Sequence, residues 1–228
     1  MVERIKSGID GFDNLIAGGI PKNDILLLSG TCGTGKTVFC LEFLFSNART
    51  EPGIFISFEE EIDKIRETAK EFGWKVDELE KEGKILFLKY DPFKIEDIFE
   101  IIESNIKEKN AKRIVIDSVS SLGLYVKDKT EVRRMLLQIS NMLRKNNCTS
   151  ILISEILPEI NSLSRFGVEE FVVDDVVKMY RVMMGDVYKY GICVWKMRST
   201  EHSNSIHPYK ITKKGMRVYD KDIMVINK

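Results

Sequence analysis

Gly30-Thr31-Cys32-Gly33-Thr34-Gly35-Lys36-Thr37 follows an apolar run, Ile25-Leu26-Leu27-Leu28-Ser29, and opens an amphipathic stretch, Lys36–Asn47. The octapeptide satisfies G-x-x-x-x-G-K-[ST] at every fixed position. By average residue usage, a random chain of this length shows that pattern about once in a hundred. Its chemistry follows from the residue types. Glycines let the backbone turn so that successive N–H groups point inward at phosphate oxygens. Lys36 can reach the β- and γ-phosphates, the Thr37 hydroxyl can ligate magnesium, and the helix beginning there adds its positive dipole end. Residues Thr31, Cys32, Gly33, Thr34, Gly35, Lys36 and Thr37 are therefore the candidate contacts for a nucleoside triphosphate with Mg2+.

Outward from this loop, short apolar runs alternate with longer amphipathic stretches, the pattern of a parallel sheet covered by helices. The runs are Ile25–Ser29, Gly53–Phe58, Ile85–Lys89, Arg113–Asp117 and Ser150–Ser154. The first four lead into helical stretches at Lys36–Asn47, Ile62–Phe72, Ile95–Glu108 and Lys129–Lys145. Strands apolar at every position, such as Ile114-Val115-Ile116, must be buried on both faces. After Ile156 the pattern changes. Phe171–Met184 and Tyr188–Arg198 flank Gly185-Asp186 as an antiparallel hairpin, and Tyr209–Thr212 with Met216–Tyr219 form a shorter one. The expected fold is α/β, a mostly parallel sheet flanked by helices with antiparallel hairpins at the C-terminal edge. No Pro/Gly/Ser-rich linker or repeat interrupts residues 1–228, which predicts one domain.

Composition narrows the function classes. Lys plus Arg and Asp plus Glu both number 35, so no basic excess points to a nucleic-acid partner. Cys32, Cys40, Cys148 and Cys193 form no C-x-x-C pair and have no histidines at ligand spacing, as expected of reduced thiols in the cytoplasm. The N-terminus lacks the apolar core of a signal peptide, and no apolar run reaches the roughly 20 residues of a membrane span.

Open α/β sheets bind ligands at the carboxyl ends of their strands, and several carboxylates fall there. Asp117 closes an all-apolar strand, as a residue that organises magnesium does. Ser118 follows it, so a base for hydrolysis must come from elsewhere. Glu59, Glu60 and Glu61 end the second strand and Glu155 ends the fifth. Charge in the first turn of a helix is the plainer reading of Glu59–Glu61. Lys196 and Arg198, two apart, project from one face if the strand continues through both. Taken alone that pair reads as a solvated face; opposite an anion it reads as two fingers on phosphate. His202 has only His207 as company and no cysteine nearby, so it is no metal ligand.

With these residues assembled, the chain resembles the KaiC-like branch of the RecA superfamily over nearly its whole length. The resemblance runs through SGIDGFDNLIAGGIPKNDILLLSG, GTCGTGKT, FISFEE, RIVIDSVSSL, RFGVEEFVVDDVV and KMRSTEH, in that order. It implies ATP as the nucleotide and a RecA-like core. It places the catalytic base on Glu59, with Glu60 beside it, and magnesium at Asp117. It also implies hexameric rings with ATP between neighbours, where Lys196 and Arg198 reach the adjoining subunit's phosphates and Met197, Thr200 and His202 lie near its nucleotide. Ser199 departs from a common glycine, and Asn23-Asp24 from a usual Lys-Gly. Three functions compete: a slow ring ATPase that signals to a protein partner, a RadA-like DNA-dependent ATPase, and an ATP-dependent interaction module or autokinase. For the second, the segment 157–167 offers Arg165 as its one cation. For the third, Ser118, Ser120 and Ser121 are the available hydroxyls.

Overall fold

A computed structural model describes residues 2–91, 95–124, 126, 128–157 and 162–226. Its elements run β1 (Arg4–Ile5), β2 (Ile20–Pro21), β3 (Ile25–Gly30), α1 (Lys36–Phe45), β4 (Gly53–Ser57), α2 (Ile62–Glu71), α3 (Val76–Lys81) and β5 (Ile85–Lys89). They continue with α4 (Ile95–Lys109), β6 (Arg113–Asp117), α5 (Val119–Gly123), α6 (Lys129–Lys145) and β7 (Thr149–Glu155). The last four strands are β8 (Asp175–Met184), β9 (Val187–Lys196), β10 (His207–Thr212) and β11 (Gly215–Val218). Nine strands form one sheet in the order β11-β10-β9-β8-β3-β7-β6-β4-β5, parallel from β8 to β5 and antiparallel from β8 to β11. The expected α/β architecture is the observed one.

Strand alternation splits the core into two layers. Leu26 and Leu28 of β3 join Phe39, Phe43 and Phe55 on the face covered by α1. Ile25 and Leu27 join Ile102, Ile106, Leu136, Ile139 and Leu143 on the face covered by α4 and α6. The helix α6 begins where Asp128 accepts the N–H groups of Thr130 and Glu131 at 2.8 and 3.0 Å. The C-terminal hairpin is tied back to α1 through Glu42, whose carboxylate accepts the Met216 N–H at 2.7 Å. Among the described residues no helix is long and apolar enough to cross a membrane.

Both arms of the long hairpin are shorter than the apolar pattern suggests. Phe171, where the strand is expected to start, instead ends a 3-10 turn, Glu169–Phe171, and β8 begins only at Asp175. The cause is Glu169, fully buried, which takes the hydroxyls of Ser154 and Ser164 and the N–H groups of Phe166 and Val168. At the other arm β9 stops at Lys196, beside a bulge at Val176 and Val177. The Arg198 N–H turns instead to the Asp175 carboxylate at 3.2 Å. Arg198 has therefore left the strand, and the expectation that it shares a strand face with Lys196 is corrected. Ser199, where a glycine is common, holds φ of 51°, the left-handed region where glycine is at ease.

Two stability predictions follow from these observations. Ser199→Gly should raise unfolding free energy by about 1 kcal/mol, since glycine carries no left-handed penalty; a denaturant midpoint unchanged or lowered would contradict it. For Glu42, burial above all, opposed by the Met216 N–H and reinforced by Asp10, pushes the carboxyl up to about 7 from 4.5. The folded chain therefore holds that proton more tightly than the unfolded one. The associated stability is present below pH 4.5 and lost as pH rises to about 7. Glu42→Gln should flatten the decline over that window by roughly 2 kcal/mol, read by urea unfolding at pH 5 and pH 8.

Candidate functional site

The site is assembled at the carboxyl ends of four neighbouring strands. After β3 the chain turns through Gly33 and Gly35, with φ of 71° and 84°, into α1. A Cβ on Gly35 would lie 2.5 Å from Ile211 Cδ1, so β10 crowds the loop from one side, and the left-handed φ strains any side chain placed there. The Tyr209 hydroxyl donates to Thr34 O, and Thr34 Oγ1 donates to Thr31 O at 2.9 Å. No side chain caps α1, so its first N–H groups stay open at the loop.

Lys36 is only 6% exposed. Its ammonium lies 3.0 Å from Thr31 O and 3.1 Å from Glu155 Oε1 at the end of β7. The Thr37 hydroxyl donates to Asp117 Oδ2, at the end of β6, at 3.4 Å. Glu59 and Glu60 follow β4 on the same edge. These residues, with Cys32, Gly33 and Gly35, line a cavity of about 290 Å3. Burial, first of all, pushes the Asp117 carboxyl up to about 7; Lys36 opposes this, and Glu155, Glu60 and Glu59 add to it. One ammonium thus faces four carboxylates, and the cavity favours added positive charge.

A magnesium ion fits this donor set. Asp117 and Thr37 offer hard oxygen atoms, the ligand type the ion takes. Among the described residues no three His, Cys, Asp or Glu side chains converge as a metal cage. An ion at Thr37 and Asp117 would therefore complete its shell with phosphate and water oxygens, as magnesium in nucleotide sites does.

A short turn after Asp117 organises the carboxylates. Ser118 caps α5, accepting the Ser121 N–H at 3.3 Å. The Ser121 hydroxyl donates to Glu59 Oε1 and lies 2.8 Å from Ser118 Oγ. Ser120 Oγ accepts the Glu155 N–H at 2.7 Å. All three serine side chains are buried. The Glu60 backbone is pinned by the Ser57 hydroxyl at 2.7 Å, but its carboxylate has no hydrogen-bond partner among the described residues.

Lys196 and Arg198 lie elsewhere. Gly30 pairs with Met179 on β8, whereas Lys196 pairs with Val176, level with Leu27. Three residues of strand separate the two levels, about 10 Å along the sheet at 3.3 Å per residue. The Lys196 ammonium donates to Glu170 O and Val173 O, at 2.9 and 2.7 Å. Burial foremost, then Arg198, lowers its pKa. The Met197 side chain is buried in the α1-side core, so it offers a nucleotide only its backbone. Thr200 accepts a hydrogen bond from Arg4 at 3.0 Å, and His202 Nδ1 lies 3.1 Å from Ser203 O. None of these residues lines the cavity at Lys36.

One neighbour of the loop escaped the sequence reading. Arg181 on β8 brings Nη1 to 2.9 Å from where a Cβ on Gly33 would sit, and its guanidinium lies 4.5 Å from the Tyr188 ring centre. Only strand register puts it there, and no motif marks it. The four thiols are unpaired, with Cys32 exposed on the loop and the others buried.

Comparison with known proteins agrees with this geometry. The family described as ATPase: KaiC matches residues 5–223. A UPF0273 protein of Pyrococcus furiosus is 35% identical over 244 residues, covering 98% of this chain and 97% of that protein. The circadian clock oscillator protein KaiC of Nostoc is 35% identical over 230 residues, covering 96% of this chain but 44% of that longer protein. The crystal structure of a KaiC-like protein from Pyrococcus horikoshii superposes with a TM-score of 0.88 at 37% identity, covering 96% of this chain and 100% of that one. A glycine-walled phosphate loop on a RecA-like sheet, matched along its length by these relatives, makes the chain a member of the KaiC family of ATPases, which bind ATP.

Proposed function

We propose that residues 1–228 act as one Mg2+-dependent ATPase domain that works in a ring, most simply a hexamer, with each nucleotide held between neighbouring copies. The ring's shape would then report nucleotide state to a protein partner. The observation that carries this reading is the division of the cations. Lys36 stands among the carboxylates at one end of the sheet, while Lys196 is paired about 10 Å down the strands from the loop and Arg198 follows it where β9 has ended. Two further facts support it. The cavity at Lys36 has room for a phosphate tail, but a whole nucleotide needs more than its 290 Å3. Phe171 and Trp195, 63% and 55% exposed, are close in sequence or strand position to the two fingers and would be covered by a second copy.

In this reading the open N–H groups of the loop and Lys36 bind the phosphates, Lys36 exchanging Glu155 for the γ-phosphate. Thr37 and Asp117 would hold the magnesium ion, which when bound would supply positive charge to the phosphoryl groups. Glu59 orients a water for attack on the γ-phosphorus and takes its proton as the bond to ADP breaks. Lys196 and Arg198 of the adjoining copy stabilise the charge that develops on the transferred group. Ser118, Ser120 and Ser121 are buried and bonded, which disfavours them as phosphate acceptors. Of the segment 157–167, residues 158–161 lie outside the described ones, and no observation on the rest favours DNA.

Glu59→Gln should lower steady-state phosphate release by about a hundredfold or more, with ATP still bound; release at the wild-type rate would remove Glu59 as the base. Arg198→Ala and Lys36→Ala chains should each be nearly inactive alone. Mixed in equal amounts they leave one interface in four with both groups, so about a quarter of wild-type activity should return. No recovery in rings shown by mass to be mixed would refute shared sites.

A further inference from the structure

We propose that Ser121 is a positioning residue for hydrolysis: its hydroxyl, itself oriented by Ser118, fixes one carboxylate oxygen of Glu59 and leaves the other to face the attacking water. The proposal rests on Glu59 as the base, and it explains why Glu59 rather than Glu60 is suited to that task.

Proton counting fixes the direction of each bond. An ionised carboxylate is acceptor only, and each serine hydroxyl has one proton. Ser121 Oγ contacts Glu59 Oε1, so the Ser121 proton goes to Glu59. The 2.8 Å contact between Ser118 Oγ and Ser121 Oγ must then be filled by the proton of Ser118. Ser118 Oγ in turn accepts the Ser121 N–H at 3.3 Å. The Ser121 N–H is shared with Ser118 O at 3.2 Å, each hydroxyl proton has one acceptor, and the chain of hydroxyls ends on the carboxylate.

Rigidity comes from burial and from the turn. Ser118 and Ser121 are 1% and 2% exposed, so neither hydroxyl has water as an alternative partner. Both belong to the turn that leaves Asp117, and Phe58 N donates to Asp117 O at 2.8 Å across β4 and β6. The candidate base and the candidate metal carboxylate are thus referenced to the same few backbone atoms. The Glu59 side chain is otherwise exposed and would sample several rotamers. Its neighbour Glu60 has a pinned backbone but no partner for its carboxylate among the described residues. A carboxylate held at one oxygen, with the second free, is the arrangement that keeps a water in line; an untethered one spends most of its time out of line.

The test compares Ser121→Thr with Ser121→Val, which have nearly the same volume and differ by the hydroxyl. The full chain is assayed for phosphate release and for binding of a fluorescent ADP analogue with magnesium. We expect Ser121→Val to lose about tenfold or more in kcat, a cost of the size that small misplacements produce, with KM for ATP and analogue affinity within twofold of wild type. Ser121→Thr should recover most of the rate. Added to Glu59→Gln, Ser121→Val should have no further effect; added to Glu60→Gln, it should have its full effect. Equal rates for the Thr and Val chains, with Glu59→Gln inactive, would overturn the positioning role while leaving the base in place. Wild-type turnover in Glu59→Gln would instead remove the base, and the role of Ser121 with it.

Discussion

The buried ammonium of Lys36 is the charge around which the site is arranged. It leaves water almost entirely, and in exchange takes one backbone carbonyl and one carboxylate, the compensation a buried charge requires. Asp117, Glu59, Glu60 and Glu155 converge on the same edge because their strands end there in register, β4 with β6 and β3 with β7. One cation does not balance four carboxylates, and Glu155, Glu60 and Glu59 add to the rise that burial, above all, imposes on the Asp117 carboxyl. Binding a polyphosphate with its metal would change both sides of the balance together: Lys36 gains an anion, and the carboxylates gain a cation. Neither component alone serves both, which gives the site a physical reason to prefer the metal complex over the free nucleotide.

Around this centre the C-terminal strands act as a brace. Tyr209 holds Thr34 O, Ile211 packs against Gly35, and Met216 is tied to Glu42 of α1. A loop whose amides must converge within a few tenths of an ångström gains from such support, because loops lacking packed neighbours are the mobile parts of a fold. The antiparallel addition to the sheet therefore belongs to the site. The neighbouring strand β9 carries Lys196 away from the loop, because it runs antiparallel to β8 and ends level with Leu27.

Much of this was legible in the residues. Runs such as Ile114-Val115-Ile116 have no polar face and can only be central strands, and the glycines of the loop have a stated backbone purpose. The ends of elements were less legible. Glu169 looks like any charged residue in a polar stretch, yet four hydrogen-bond donors from distant and local positions converge on it and turn the chain out of the sheet. The short helices α3 and α5 and the ribbon of β1 and β2 carry too few residues for a periodic signal. Met197 reads as part of a finger motif but points inward, because the bulge at Val176 changes which side chains face the core. Arg181 reaches the loop only through its cross-strand register, which no linear spacing announces.

The three serines after Asp117 show why such details decide function. In the sequence they are small polar residues in a turn, suited equally to capping, to modification or to nothing. Burial removes water as a partner, and each hydroxyl must then spend its proton or lone pair on a protein group. Ser120 spends a lone pair on the Glu155 amide, and Ser121 spends its proton on Glu59. The Glu155 backbone and the Glu59 carboxylate are thereby located by one five-residue helix that begins where the Asp117 strand ends. A displacement of that helix would move the backbone of Glu155, the partner of Lys36, and the orientation of Glu59 together, so in the proposed mechanism the same turn would set the geometry for holding phosphate and the geometry for attacking it.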